Sequence, residues 1–554
     1  MRVVVLGGSG VFGSRLVRLL SRDGHEVLAA GRGEAGLRQL SAETGCGVLV
    51  LDRRGDLAPL WAAEPEVVVD AAGPFHAYGN DPWRLARDCI AHRVHYLDLA
   101  DDGGFCAGIA ALDAEAKASE VVVLSGVSSV PCLSSAAVAA LSEGFAELDL
   151  ISSAILPGNR APRGQSVVES ILHQAGTGIV QPLDGRAERV RSWSDPRAFD
   201  LSPGMRRLGY VIEVPDQRLL APVFGARTVE FRAGMELSLM NRGLAALSWA
   251  RGWLGFGMPG WLVGLVRGAA VGLSPFGSDA GGMVVEVTGR GGAGWERRRW
   301  VLVAEKGEGP FVPAVAARAV LRDLGAVAPG ARPAVAVLAL DRAEAAMGDL
   351  EVVTRREVAP VVPLFAGLLG PEFARLAPEV RASHDHAGPR RWVGKAEVER
   401  GRGLLARAIA FVFGFPAAGS DVPVAVVKRP VAGGEVWERR FGAGRFRSWL
   451  GARQGRLVEQ FGPFAFDMGL QVRDGALHWP VVAGRCLGVP LPRWCLPRVV
   501  ARETEAGGQF RFHVEMHAPF GGGLIVAYRG WLAAAGGNGR DAEGPGPGRD
   551  RVKA

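Results

Sequence analysis

The chain opens with Arg2 to Leu6, a short apolar run suited to a strand buried on both faces, and continues at once into GGSGVFGSRLVRLL. Glycines stand at Gly7, Gly10 and Gly13. In this spacing the first permits a tight strand-to-helix turn, the second lets a phosphate approach the backbone, and the third lets the helix pack on the sheet. The free amides and positive dipole end of the following helix, Val11 to Ser21, would then hold a pyrophosphate. Ser9, Val11 and Phe12 share this loop and first turn and belong to the same expected site. With 78 glycines in the chain, chance spacings are common. What raises this triplet above chance is the strand before it, the amphipathic helix after it, and the second strand in HEVLAAGR.

An NAD-binding fold places an acidic residue at the end of that second strand, for the ribose 2′-hydroxyl. Here the residues are Gly31, Arg32 and Gly33. A carboxylate would repel a 2′-phosphate, whereas Arg32 offers it a charge-assisted hydrogen bond, so NADP is the expected cofactor. Strand-like runs recur at Val48 to Leu51, Val67 to Asp70, His95 to Asp98 and Val121 to Leu124, with helical stretches at Trp83 to Ala91 and Ala107 to Ala118. This alternation predicts an α/β fold of the Rossmann type, a doubly wound parallel sheet. Asp52 after the third strand, and Ala71, Ala72 and Gly73 after the fourth, stand at carboxyl ends of strands, where such sheets bind ligands.

The length of 554 residues calls for at least two folding units. Hydrophobic residues at 48% and charged residues at 22% exclude a disordered chain. The net charge of +7 is spread without a basic block, so nucleic acid is not an expected partner. The six cysteines are scattered with no C-x-x-C, which predicts neither a zinc site nor a disulfide framework. With a strand at the start of the chain in place of a leader, a cytoplasmic location is the expectation.

The segment VVVDAAGPFHAYG, followed by ARDCIAHRVHYLDLADD, resembles the saccharopine dehydrogenase-like NADP-binding proteins, in which a strand ends in an Ala-Gly-Pro-Phe turn and a His-Tyr-x-Asp closes the next strand. GPFVPAVAARAVLRDLGAVAPGARP looks like the helix and strand that end the oxidoreductase part of such chains. The resemblance extends over about the first 340 to 355 residues and implies an NADP-dependent oxidoreductase. Many relatives carry Gly-Glu after the His-Tyr-x-Asp segment, where this chain has Leu99, Ala100, Asp101 and Asp102. The lysine and histidine pair of the lysine-forming saccharopine dehydrogenases has no counterpart, so no catalytic dyad is carried over.

From Glu147 to Glu305 the pattern changes to separate strands (Leu148 to Leu156, Val229 to Met240, Val284 to Gly289, Arg298 to Ala304) and helices, an α+β substrate domain. Within it, LAALSWARGWLGFGMPGWLVGLVRGAAVGL is apolar, but Arg251 and Arg267 interrupt it and Pro259 breaks it. A buried or lid-like helix pair is favoured over docking on a membrane surface, and a spanning helix is disfavoured.

PEVRASHDHAGPRRWVGK reads as a linker in which His384 and His386 are exposed. Beyond the helix Gly403 to Phe413 come strand-like runs at Pro423 to Lys428, Val436 to Phe441, Phe464 to Arg473, Ala476 to Val482, Arg498 to Glu505, Phe510 to Ala518 and Leu524 to Tyr528. They predict a β-rich antiparallel domain. WERRFGAGRFRSWL, FGPF and GVPLPRWCLP resemble the domain of unknown function DUF4166, which supplies no chemistry. His513, Glu515 and His517 alternate on one strand face opposite Phe510, Phe512, Val514 and Met516. That alternation already accounts for the polar face, and no metal site is expected.

The expected organisation is therefore a Rossmann NADP-binding domain at 1–125, an α+β substrate domain with a return helix at 126–355, a linker at 356–400, a β-rich domain at 401–535 and a disordered tail at 536–554. Hydride would pass between the nicotinamide and an imine or enoyl carbon of a small-molecule substrate. His76, Tyr78 and Asp98, near strand ends, are the candidates to position it and supply a proton. Clustered arginines would mark an imine of an amino acid, an apolar channel an acyl-type substrate. The alternative is a nucleotide-sensing or hydrophobic-ligand-binding protein that works through its β-rich domain. Oligomerisation is left open.

Overall fold

Five residues of the first strand, Arg2–Leu6, pair in parallel with Glu26–Gly31 on one side and with Val67–Asp70 on the other. Buried on both flanks, they explain why the run carries almost no polar residue. In a computed structural model that describes residues 1–162, 165–255, 257 and 260–535, these strands belong to a seven-stranded sheet. Its order is Gly330–Pro333, Val122–Ser125, His95–Asp98, Val67–Asp70, Arg2–Leu6, Glu26–Gly31 and Gly47–Val50. Every pairing in it is parallel, as the alternation predicts.

The chain divides into two compact units, the first made of 1–182 and 187–359, the second of 183–186 and 360 onward. Within the first, a second seven-stranded sheet is mixed, with Glu147–Leu156 at its centre, parallel to Thr228–Ala233 and antiparallel to Gly281–Gly291. One hydrophobic core spans both sheets, from Val3 and Leu16 to Ile151, Val285 and Trp300. The helix Val312–Arg322 is buried along almost its whole length, and after it Gly330–Pro333 returns to the edge of the parallel sheet. Arg318 on that helix, 3% exposed, forms an ion pair of 2.7 Å with Asp23 at the end of the first helix and a second with Asp349.

One expectation for this unit needs correction. The strand expected over Val229 to Met240 ends at Ala233, because Gly234 lies so tightly against the Leu208 carbonyl that no side chain fits; a helix, Ser238–Leu254, follows. Strands Arg197–Ser202 and Met205–Val211 and the helix Pro215–Phe224 had no clear periodicity in sequence. Pro259 and the tail at 536–554 lie outside the described residues.

The second unit is one thirteen-stranded sheet, antiparallel in its recorded pairings. At its middle lies Arg390–Arg400, hydrogen-bonded to Gly419–Val431 on one edge and Leu524–Ala534 on the other. Residues 356–400 are accordingly no linker. Trp392, Ala396 and Val398 alternate inward on that strand, and the charged residues between them disguise the pattern. His384 and His386 are not exposed either; both are buried, because the helix Pro378–His384 packs against the strand Arg498–Ala506. The strands Gly444–Arg453 and Arg456–Phe461 escape a sequence reading for the same reason as the central one. Arginines on the outer face break the apolar run, and Gln454 and Gly455, both at positive φ, make the two-residue hairpin turn between them.

Candidate active site

The glycine loop folds as its spacing requires. Gly7 adopts φ +73°, and a Cβ there would meet the Ala71 carbonyl oxygen at 2.7 Å; a Cβ on Gly13 would lie 2.2 Å from the Gly7 oxygen. These two glycines thus hold strand, turn and helix together and do not line the cleft. Gly10 is the N-cap of the helix Val11–Arg22, which has neither a side-chain cap nor an acidic residue in its first turn. Its first amides therefore keep their donors for an anion.

Ser9, Gly10, Val11 and Phe12 open onto a cleft of about 1160 Å³, as do Arg32, Ala71, Ala72 and Gly73. All but three of the expected cofactor residues thus meet at one surface. Two of the three, Gly7 and Gly13, act behind it; Asp52 stays outside, where its Oδ1 accepts the Arg54 amide at 3.0 Å. Arg32 is exposed to the cleft and has no ion-pair partner among the described residues. An uncommitted guanidinium, a glycine turn that no Cβ fits and an uncapped helix end are together what a dinucleotide with a 2′-phosphate needs.

The expected catalytic residues fare differently. Asp98 is fully buried at the end of its strand, and its Oδ1 accepts from the amides of Ala100 (3.0 Å) and Gly126 (2.7 Å) and from the Ser125 hydroxyl (3.0 Å). It pins two turns and does not reach the cleft. Tyr78 donates its hydroxyl to both oxygens of buried Asp70 at 3.2 Å, while the Arg53 guanidinium lies 3.4 Å from the Tyr78 ring centroid and 3.3 Å from the Asp70 carboxylate. Desolvation and the Asp70 charge push the Tyr78 phenol well above its ordinary value. A phenol so held is scaffold. Sequence alone gave no sign of this cluster, because Arg53 and Asp70 are ordinary residues until the fold joins them.

His76 alone of the three is exposed, its ring 5.6 Å from that of His173. It lies in electrostatic reach of Asp101, which lines the cleft. Asp101 is open to the cleft yet closely surrounded; desolvation raises its carboxyl, Asp102 adds to the rise and His76 opposes it. Glu213 lines the same cleft, and desolvation followed by the Asp102 charge raises it too. These two carboxyls, which sequence reading passed over as a departure from pattern or did not single out, line the cleft with raised proton affinity.

The remaining walls are apolar. Ile155, Phe231, Met283 and Leu302 come from the mixed sheet, and Leu239, Leu244, Leu247, Leu265 and Val266 from the helices Ser238–Leu254 and Gly260–Gly272. The tryptophan-rich segment is thus a wall of the cleft, with Trp249 and Trp253 stacked at 6.0 Å and exposed. Among the described residues no helix is long and apolar enough to cross a membrane.

Residues 3–124 match the family model described as the saccharopine dehydrogenase NADP binding domain, and residues 376–532 match the domain of unknown function DUF4166. The second match begins well before residue 401, in agreement with the secondary structure there. No curated protein matches the chain. Among solved structures, saccharopine dehydrogenase (L-Glu forming) from Saccharomyces cerevisiae is similar at 13% identity and TM-score 0.47, over 64% of this chain and 99% of that one. Homospermidine synthase from Legionella pneumophila, in complex with NAD, is similar at 11% identity and TM-score 0.42, over 64% and 91%. A probable dehydrogenase from Thermotoga maritima has 11% identity and TM-score 0.33, over 63% and 94%. Likeness at this level speaks to neither substrate nor mechanism.

Proposed function

We propose that this chain, whose N-terminal residues carry an NADP-binding domain of the saccharopine dehydrogenase type, is an NADP-dependent oxidoreductase acting on an apolar, acyl-type substrate with a conjugated double bond. The amides that open the helix Val11–Arg22 would hold the pyrophosphate, Arg32 the 2′-phosphate, and Ala71, Ala72 and Gly73 the floor toward the nicotinamide. NADPH supplies the hydride. Asp101 or Glu213, each with a raised carboxyl, supplies the proton that completes reduction, and His76 beside Asp101 tunes or relays it. The apolar walls orient the acyl part and exclude water from it.

One observation carries the choice of substrate. Arg32 is the one cation among the described residues lining the cleft, and a bound 2′-phosphate would claim it. An amino-acid imine brings carboxylates that need guanidinium partners, and no second one stands among the described residues of the lining. Deuteride transfer from labelled NADPH should therefore place the label in an enoyl ester and not in an imine of 2-oxoglutarate. Label found in the imine alone would reverse the assignment.

A further inference from the structure

The strands of the second unit run antiparallel, so their connections gather at two ends of the sheet. At one end the hairpin turns 432–433, 454–455 and 507–508 consist only of Gly, Ala and Gln. At the other, Arg390–Arg400 and Gln509–His517 finish, and Gly419–Val431, Arg498–Ala506 and Leu524–Ala534 begin. Three connections at that end are longer and carry apolar side chains: 401–418, which holds the helix Leu404–Val412, then 487–497 and 518–523. On them Leu404, Phe411, Val412, Leu487, Trp494 and Phe520 are each 64% or more exposed.

These side chains belong to one surface. The rings of Trp494 and Phe520 lie 5.2 Å apart, and the backbone at Gly522 lies against the Leu405 side chain. Phe413, just past the helix, meets the Phe464 ring at 5.6 Å, and the Leu487 amide donates to the Pro463 carbonyl at 2.8 Å. Large apolar patches on a surface mark a place of contact. The charge around this one selects the partner. No Asp or Glu occurs in 400–420, 475–502 or 516–535. Arg402, Arg407, Arg493 and Arg498 are exposed there, with no ion-pair partner among the described residues. The acids that border these stretches are occupied, Glu399 by Arg529, Asp421 by Lys395, Glu503 by His384 and Glu515 by His517. A second copy of the chain would bring the same unpaired arginines against one another. An anionic bilayer surface answers both features, with acyl and headgroup layers for the rings and phosphates for the guanidiniums.

We propose that this end of the second unit docks on a membrane surface carrying anionic phospholipid. Phe411, Trp494 and Phe520 enter the headgroup boundary, and Arg402, Arg407, Arg493 and Arg498 pair with phosphates. The surface is separate from the exposed tryptophans of the first unit and does not depend on the activity proposed there.

Flotation of the intact chain with lipid vesicles tests this. Phosphatidylcholine vesicles with about one third phosphatidylserine should bind it about tenfold or more tightly than phosphatidylcholine alone. In about 0.5 M salt most of that difference should vanish. Phe411→Glu and Trp494→Glu, at positions open to solvent, should each weaken binding about tenfold with an unchanged melt. Trp253→Glu, on the first unit, should leave it within about twofold of the parent. Should the first two variants not fold, Arg402→Glu with Arg407→Glu decides, by lowering binding to the phosphatidylserine vesicles about tenfold. No flotation, equal binding to the two vesicle types, a loss with Trp253→Glu as large as with Phe411→Glu, or a parent dimer that Phe411→Glu dissociates would each overturn the proposal.

Discussion

Asp98 and Asp216 are fully buried carboxyls without a cationic partner, and burial pushes each up to about 7. Among the described residues Asp216 accepts one side-chain hydrogen bond, from the Ser134 hydroxyl at 3.0 Å, and its second oxygen has no partner. Such a group stays protonated in the folded chain while it ionises near 4 when unfolded. Its contribution is therefore complete below about pH 4, falls as pH rises through the window from 4 to 7, and is gone above it. Asp216→Asn removes that titration. Relative to the parent, the variant should gain on the order of 2 to 4 kcal/mol between pH 5 and pH 8, read from denaturant midpoints at the two values. A constant difference across that range would show that Asp216 is already ionised in the fold. At this scale the place of the glycine loop was legible, since Gly10 and Arg32 do line one cleft as their positions after the first two strands suggest. Tyr78 and Asp98 misled because a strand-end position says nothing about whether a side chain turns to the cleft or, like Asp98, into the turns beside it.

At the scale of elements, the helix Val312–Arg322 joins the end of the mixed-sheet part to the first helix, with Arg318 and Arg322 both on Asp23. Desolvation of Asp23 is outweighed by these two guanidinium contacts, which hold its carboxyl well below the usual range. Breaking a buried pair by removing one partner costs more than the pair contributes, because a charge is left without compensation. Arg318→Ala should lower the unfolding free energy by about 3 to 5 kcal/mol, measured by chemical denaturation; a loss under 1 kcal/mol would mean that water or Arg322 alone suffices. The elements that sequence located well are those with a pure period, such as Val67–Asp70 and Gln509–His517. The missed ones, Arg390–Arg400 and Gly444–Arg453, alternate just as regularly, but the outward charged residues and inward glycines blur the contrast between faces. His384 shows the cost of reading polarity as exposure. Its ring lies 3.9 Å from that of Phe365, in a core that composition alone would place elsewhere.

Across the whole molecule, each of the two units has its own cavity, a large cleft beside the parallel sheet and a small aromatic one within the antiparallel sheet. The order of domains was legible because each has its own period. The start of the second unit was not, since a helix and a strand, Pro378–His384 and Arg390–Arg400, fill the stretch that looked polar. The account rests above all on the first site, where Arg32 and the helix amides meet. Calorimetric titration of the intact chain with NADPH and NADH, repeated on Arg32→Glu, tests it most directly. The account predicts one site that prefers NADPH, and a loss of about 1 to 3 kcal/mol of that preference in the variant. A folded chain that binds neither dinucleotide, or a preference that Arg32→Glu leaves unchanged, would contradict it.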